Sequence, residues 1–211
     1  MYKVGMETRA TIIKTAKALM YESGYRGVTV TKICTACNEK LGTFTYYFNK
    51  KEDLIKYLYD DYMRNCMEYV ANNTENLSMA ESQIFTVMLY YRNIYRDPNL
   101  VRFHKEIYEN GTMVHVYSNP ANVIQSFTAQ YGRSKQYYDL LVVADNAVRR
   151  ELNINFIKEG RYDCDAVKKL IEDIYFVSGR LFDIKDIDVN RYINKAYQFV
   201  LEHNDCDITL L

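Results

Sequence analysis

Residues 24–54 read Gly-Tyr-Arg-Gly-Val-Thr-Val-Thr-Lys-Ile-Cys-Thr-Ala-Cys-Asn-Glu-Lys-Leu-Gly-Thr-Phe-Thr-Tyr-Tyr-Phe-Asn-Lys-Lys-Glu-Asp-Leu. The stretch sets two very short helical segments and a turn beside a lysine-rich helix start. A helix-turn-helix needs this layout, with one short helix across the duplex and a second, exposed one entering the major groove. Thr29 is placed to cap the first short helix through its hydroxyl, with Ile33 and Cys37 facing inward and the segment ending near Asn38. Residues 40–47 form the second. A helix that short is not stable alone, so Leu41, Phe44 and Phe48 are expected to anchor it against its neighbours.

Outward from this motif the chain reads as helical almost throughout. On the N-terminal side, Ile12, Ile13, Ala16, Leu19 and Met20 give the apolar stripe of a helix over about 8–23, stopped by Gly24. On the C-terminal side, Asn49 and Glu52 resemble a capping box, and Glu52 and Asp53 suit the positive end of a helix dipole. That long helix runs from Lys50 to about Asn72 on a stripe of Leu54, Ile55, Leu58, Tyr62, Cys66 and Tyr69, tying the motif to the rest of the chain. Further helices are expected at 78–95, 98–109, 119–131, 134–159, 164–181 and 188–203, with Asp97-Pro98, Gly111, Pro120, Gly132 and Gly160 marking breaks. The fold class is therefore all-α. A three-helix DNA-binding domain over 1–50 is joined by a long helix to a helical bundle over 51–211.

Net charge is zero over 211 residues, but it is unevenly distributed. Residues 1–56 hold ten Lys or Arg against five Asp or Glu, a net +5, leaving 17 against 22, a net −5. The basic part contains the turn motif. A positive head attracts phosphates while an acidic body stays off the duplex. No apolar run reaches the roughly 20 residues of a membrane span, and the N-terminus shows no signal-peptide pattern, so a cytoplasmic protein with no membrane partner is expected. Five scattered cysteines do not form a disulfide framework. Cys34 and Cys37 have no second pair or nearby His to complete a zinc site, and read as small core residues of a helix. Nucleophile-elbow, phosphate-loop, dinucleotide-glycine and zinc-protease motifs are absent, and His104, His115 and His203 lie far apart in sequence. Neither catalysis nor a cofactor is expected. The competing non-enzymatic reading is a helical small-molecule-binding or interaction protein that does not read DNA.

Gly24-Tyr25, Thr29, Ile33-Cys34, Gly42-Thr43-Phe44, Tyr47-Phe48 and Lys51-Glu52-Asp53-Leu54 together resemble the N-terminal domain of the TetR family of bacterial transcriptional regulators. The resemblance covers about 50 residues; beyond Asn72 only a general helical layout is shared. It implies DNA contacts from Thr43 and Gly42 at the start of the recognition helix, from the phenols of Tyr46 and Tyr47, and from Lys51 at a phosphate. Thr31 and Lys32 would touch the flanking backbone. Asn38 stands where the family usually has a turn glycine, which Asn tolerates because it visits left-handed geometry. Glu39, Lys40 and Thr45 also depart from the pattern, and Lys40 adds a cation near the groove.

One two-turn recognition helix covers few base pairs, so a homodimer reading two half-sites of a double-stranded DNA operator is expected. The family usually forms its interface from the last two helices. Here that implies a seam of Ile171, Ile174 and Tyr175 with Ile193, Ala196, Tyr197 and Val200, an intrachain core being the alternative. Twenty-one tyrosines against nine phenylalanines and no tryptophan is a strong bias. Phenols suit a pocket that is apolar with polar tips, hence a small aromatic or amphiphilic effector. Tyr91, Tyr95, Tyr108 and Tyr138, with Arg102 and His104, are the candidate lining, although tyrosines filling a core would look the same. No residue has metal-site spacing. These features together point to a ligand-responsive repressor.

Overall fold

The computed structural model describes residues 2–111, 134–181 and 186–211. Every regular element among them is a helix: α1 Tyr2–Ser23, α2 Val30–Ala36, α3 Leu41–Tyr47, α4 Lys51–Asn73, α5 Met79–Tyr95, α6 Pro98–Glu109, α7 Lys135–Glu159, α8 Cys164–Leu181 and α9 Asp186–Glu202. The helix expected over 119–131 lies outside the described residues. Among those described, no helix is long and apolar enough to cross a membrane.

Ile12, Ala16 and Met20 of α1, Ile33 of α2 and Phe44 of α3 are fully buried and close the three-helix head. The helix ends follow from local chemistry. Gly24 takes φ +70°, which lets its N–H reach the Met20 carbonyl at 2.9 Å and ends α1. Ser78 and Glu81 form a reciprocal capping box at α5. Asp97 accepts from the N–H groups of Asn99 and Leu100, and Pro98 occupies the first turn of α6, where no N–H is needed. Gly160 ends α7 in the left-handed region.

The long α4 begins one residue later than the capping pair read from sequence. Its cap is Lys50, whose N–H donates to the Asp53 carboxylate at 3.2 Å, while Glu52 accepts from the Tyr25 hydroxyl at 3.0 Å. Leu54, Ile55, Leu58, Tyr62, Cys66 and Val70 are all buried along it, so α4 belongs to the core of both head and body. Within the body, α5 is buried along its length from Ile84 to Tyr95 and sits against α4, α8 and α9. The C-terminal tail folds back on α5. Arg96 donates to the Cys206 carbonyl at 2.6 Å and Asn93 to the Ile208 carbonyl at 3.0 Å.

Candidate nucleic-acid interface and effector region

The head presents α3 on a scaffold that holds it from behind. The Thr29 hydroxyl accepts the Lys32 N–H at 3.2 Å and fixes the start of α2. Asn38 then adopts φ 54°, the left-handed turn expected of it. From behind, Phe44 and Phe48 anchor α3 with ring centroids 5.8 Å apart, and the Arg9 guanidinium lies 4.2 Å from the Tyr57 ring and 5.1 Å from that of Phe48. Leu41 is not an anchor. It is 58% exposed: as the first residue of α3 it stands at the open end of the helix, one turn before the buried Phe44.

Several of the residues expected to meet DNA lie on the outward face. Tyr46 is 82% exposed and meets Tyr47 edge-on at 4.9 Å. Thr31, Lys32, Lys40 and Gly42 are exposed, and Thr43 and Tyr47 half-buried. Thr45 donates back to the Gly42 carbonyl at 3.1 Å. Two lysines have a second engagement. Lys32 donates to the Gly27 carbonyl at 2.7 Å, and Lys51 donates to the carbonyls of Tyr25 at 3.0 Å and Val28 at 2.8 Å, with its ammonium 3.6 Å from the Tyr25 ring centroid. Burial pushes the Lys51 pKa down, while Glu52 and Glu106 act to raise it. Lys51 therefore clamps the α1–α2 loop in this structure. That is a positioning task which motif reading does not disclose.

The body gathers four of the six residues expected to line an effector region. Tyr91, Tyr95, His104 and Tyr108 are buried together, His104 lying 4.6 Å from Tyr108, 5.9 Å from Tyr95 and 6.4 Å from Tyr91 by ring centroids. Arg102 is not among them. It is exposed on the other side of α6 and donates to the carbonyls of Tyr21 and Glu22 at 2.9 and 2.7 Å, satisfying the C-terminal end of α1. The Tyr138 side chain lies outside the described residues. Residues that sequence reasoning passed over complete the cluster: the Tyr59 hydroxyl is 2.8 Å from His104 Nδ1, and Asn153 joins Tyr95 at 2.5 Å to Tyr91 at 3.0 Å. Tyr59 lay one turn before Tyr62 on the same apolar stripe, and that spacing was its available signal. Arg149 and Asp145 form a buried ion pair at 2.7 Å, and the Ser178 hydroxyl donates to the same carboxylate.

The seam assigned to a partner closes inside the single chain. Ile171, Ile174, Tyr175, Ile193, Ala196 and Val200 are all buried, and Tyr197 donates to Asp165 at 2.5 Å. Their stripes face the chain's own core because α8 and α9 each lie against α5 and against one another. Exposed apolar side chains lie elsewhere, on α7 with Leu140 and Val143 and on α8 with Phe176 and Val177.

A short exposed helix carrying hydroxyls and phenols, held behind by a basic, buried-core head and joined to a helical body, defines a helix-turn-helix DNA-binding protein. Residues 12–58 match the family model of bacterial regulatory proteins, tetR family. Residues 12–58 are therefore similar to the DNA-binding region of that family. No curated protein matches the chain. Among solved structures it is similar to a gamma-butyrolactone receptor (ArpA-like protein), at 17% identity and a TM-score of 0.41, over 94% of this chain and 98% of that one.

Proposed function

We propose that the chain is a cytoplasmic, homodimeric transcriptional repressor, not an enzyme, whose residues 1–50 read a double-stranded DNA operator and whose residues 51–211 bind a small effector and pair the subunits. The observation that carries this reading is the outward face of α3. Tyr46, at 82% exposure, presents its phenol outward, and Thr43, Gly42 and Lys40 beside it provide a hydroxyl, close backbone approach and a cation. Thr31, Lys32 and Tyr47 flank this face. Lys51 serves it by holding the loop before α2.

The exposed strip of Leu140, Val143, Phe176 and Val177 on α7 and α8 supports a second copy of the chain as the partner, since an apolar strip of this kind suits an isologous interface. Effector release follows if the ligand prefers a body conformation whose two heads no longer match adjacent grooves.

A mobility-shift titration with genomic fragments tests the reading. Binding that falls steeply as salt rises, with a log–log slope of about −0.9 per phosphate contacted, supports it. Absence of DNA binding at low salt would favour the helical interaction protein instead.

A further inference from the structure

His104 projects from α6 into the body and is completely buried. Its Nδ1 lies 2.8 Å from the Tyr59 hydroxyl, whereas Nε2 is buried with no hydrogen-bond partner. An unpaired polar atom in a protein interior costs on the order of 1–3 kcal/mol, and interiors retain few of them. Desolvation drives the ring's pKa down to about 3, so it is neutral at physiological pH. A phenol is the better donor and an imidazole nitrogen the better acceptor. Tyr59 therefore donates to Nδ1, and the ring proton resides on Nε2.

We infer that His104 Nε2–H is the polar recognition point for the effector, and that the effector is an uncharged aromatic molecule bearing an acceptor oxygen such as a ketone, ester or amide carbonyl. This deepens the effector-binding part of the proposed function and rests on it. The surroundings select the class. Tyr91 and Tyr95 lie with ring planes 19° apart and 5.9 Å between centroids, and the Tyr95 ring is nearly parallel to that of Tyr162, at 6° and 5.6 Å. Such faces suit a flat π system. Arg149, the buried cation whose charge reaches Tyr91, is already matched by Asp145, so an ionic ligand would find no unpaired counter-charge there and would keep its desolvation penalty.

The site also lies on the helix that touches the head. Arg102 and Glu106, either side of His104 on α6, hold the end of α1 and the loop after it. Aromatic side chains this closely packed must shift to admit a ligand.

Four matched probes at about 10 mM test this on the full chain: acetophenone, ethylbenzene, benzoate and benzylammonium. The readout is the rise in melting temperature of each variant over its own ligand-free value. Acetophenone should raise the wild-type value by a few degrees and the other three should not. His104→Phe should lose that rise, and His104→Gln, which keeps an N–H donor, should retain part of it. If His104→Phe does not fold, the glutamine variant carries the comparison through acetophenone against ethylbenzene. No response to acetophenone, an equal response to benzoate or benzylammonium, or an undiminished response in His104→Phe would overturn the inference. Failure of the ligand-free protein to bind DNA would instead remove the proposed function while leaving this thermal readout intact.

Discussion

Glu106, on α6 of the body, accepts the main-chain N–H of Arg26 in the loop between α1 and α2 at 2.7 Å. The contact sits within a patch of similar links. The Arg26 guanidinium pairs with Glu109 at 3.0 Å, Asn110 donates to the Tyr25 hydroxyl at 3.3 Å, and the Tyr21 hydroxyl donates to Asp97 at 2.9 Å. One edge of the body is thus bonded to the loop that Lys51 holds from the other side. The loop leads directly into α2, so its position sets where the α2–α3 unit sits.

Replacing Glu106 with Ala should therefore loosen the head without unfolding it. Loss of a charge-assisted hydrogen bond to a half-buried carboxylate costs about 1–2 kcal/mol. The expected outcome is a small fall in melting temperature together with weaker operator binding, read by thermal melting and mobility shift on the same samples.

Gly24→Ala should be more damaging. A Cβ there would lie 2.7 and 2.8 Å from the Glu106 carboxylate oxygens, on a residue whose φ is +70°. Left-handed backbone disfavours Ala by about 1 kcal/mol or more, and the flexible Glu106 carboxylate must shift away from the Arg26 N–H to make room. The double variant Gly24→Ala with Glu106→Ala should recover only the steric part, which denaturant titration of the four proteins resolves.

Tyr46→Ala and Lys51→Ala should behave differently. Tyr46 is exposed, so its loss should leave the melting temperature unchanged and weaken operator binding about tenfold, the scale of a direct DNA contact. Lys51 bonds two loop carbonyls, so its loss should lower both stability and affinity. Paired melting and binding curves separate the two patterns.

Stability should decline with mild acid through His104. Its folded-state pKa of about 3 lies below the ordinary value of 6.5, so the unfolded chain takes up the proton first. The contribution is complete above pH 6.5 and is lost progressively as pH falls toward 3. Glu81 acts lower down. The hydrogen bond from the Ser78 main chain, then Lys195, holds its carboxyl at about 2, so its contribution is present above the ordinary carboxylate value and is lost as pH falls through about 2. His104→Phe should flatten the stability profile between pH 6.5 and 5, and Glu81→Gln the profile below 4.5, in urea titrations at stepped pH.

Much of this architecture was legible because helices announce themselves by spacing and by their ends. Residues 98–109 and 164–181 were bounded as they occur, and the left-handed Asn38 was implied by the resemblance, which has a turn glycine at that position. What sequence left open was which neighbour takes an apolar stripe. The run of Ile171, Ile174, Ile193 and Val200 looks identical whether a second subunit or α5 covers it, and here α5 lies against both α8 and α9. Arg102 and His104 stand two residues apart, which on a helix turns them some 200° apart. One serves the head and the other the core. The Lys51 clamp depends on where the α1–α2 loop passes, a long-range fact that no local pattern carries.

The central claim is that the outer face of α3 enters the major groove, twice, in one symmetric assembly. Footprinting a retained genomic fragment with wild type, Thr43→Ala and Tyr46→Ala tests it most directly. The account predicts two protected major-groove patches about one helical turn apart, both fading in each variant. A single patch, or protection indifferent to both substitutions, would contradict it.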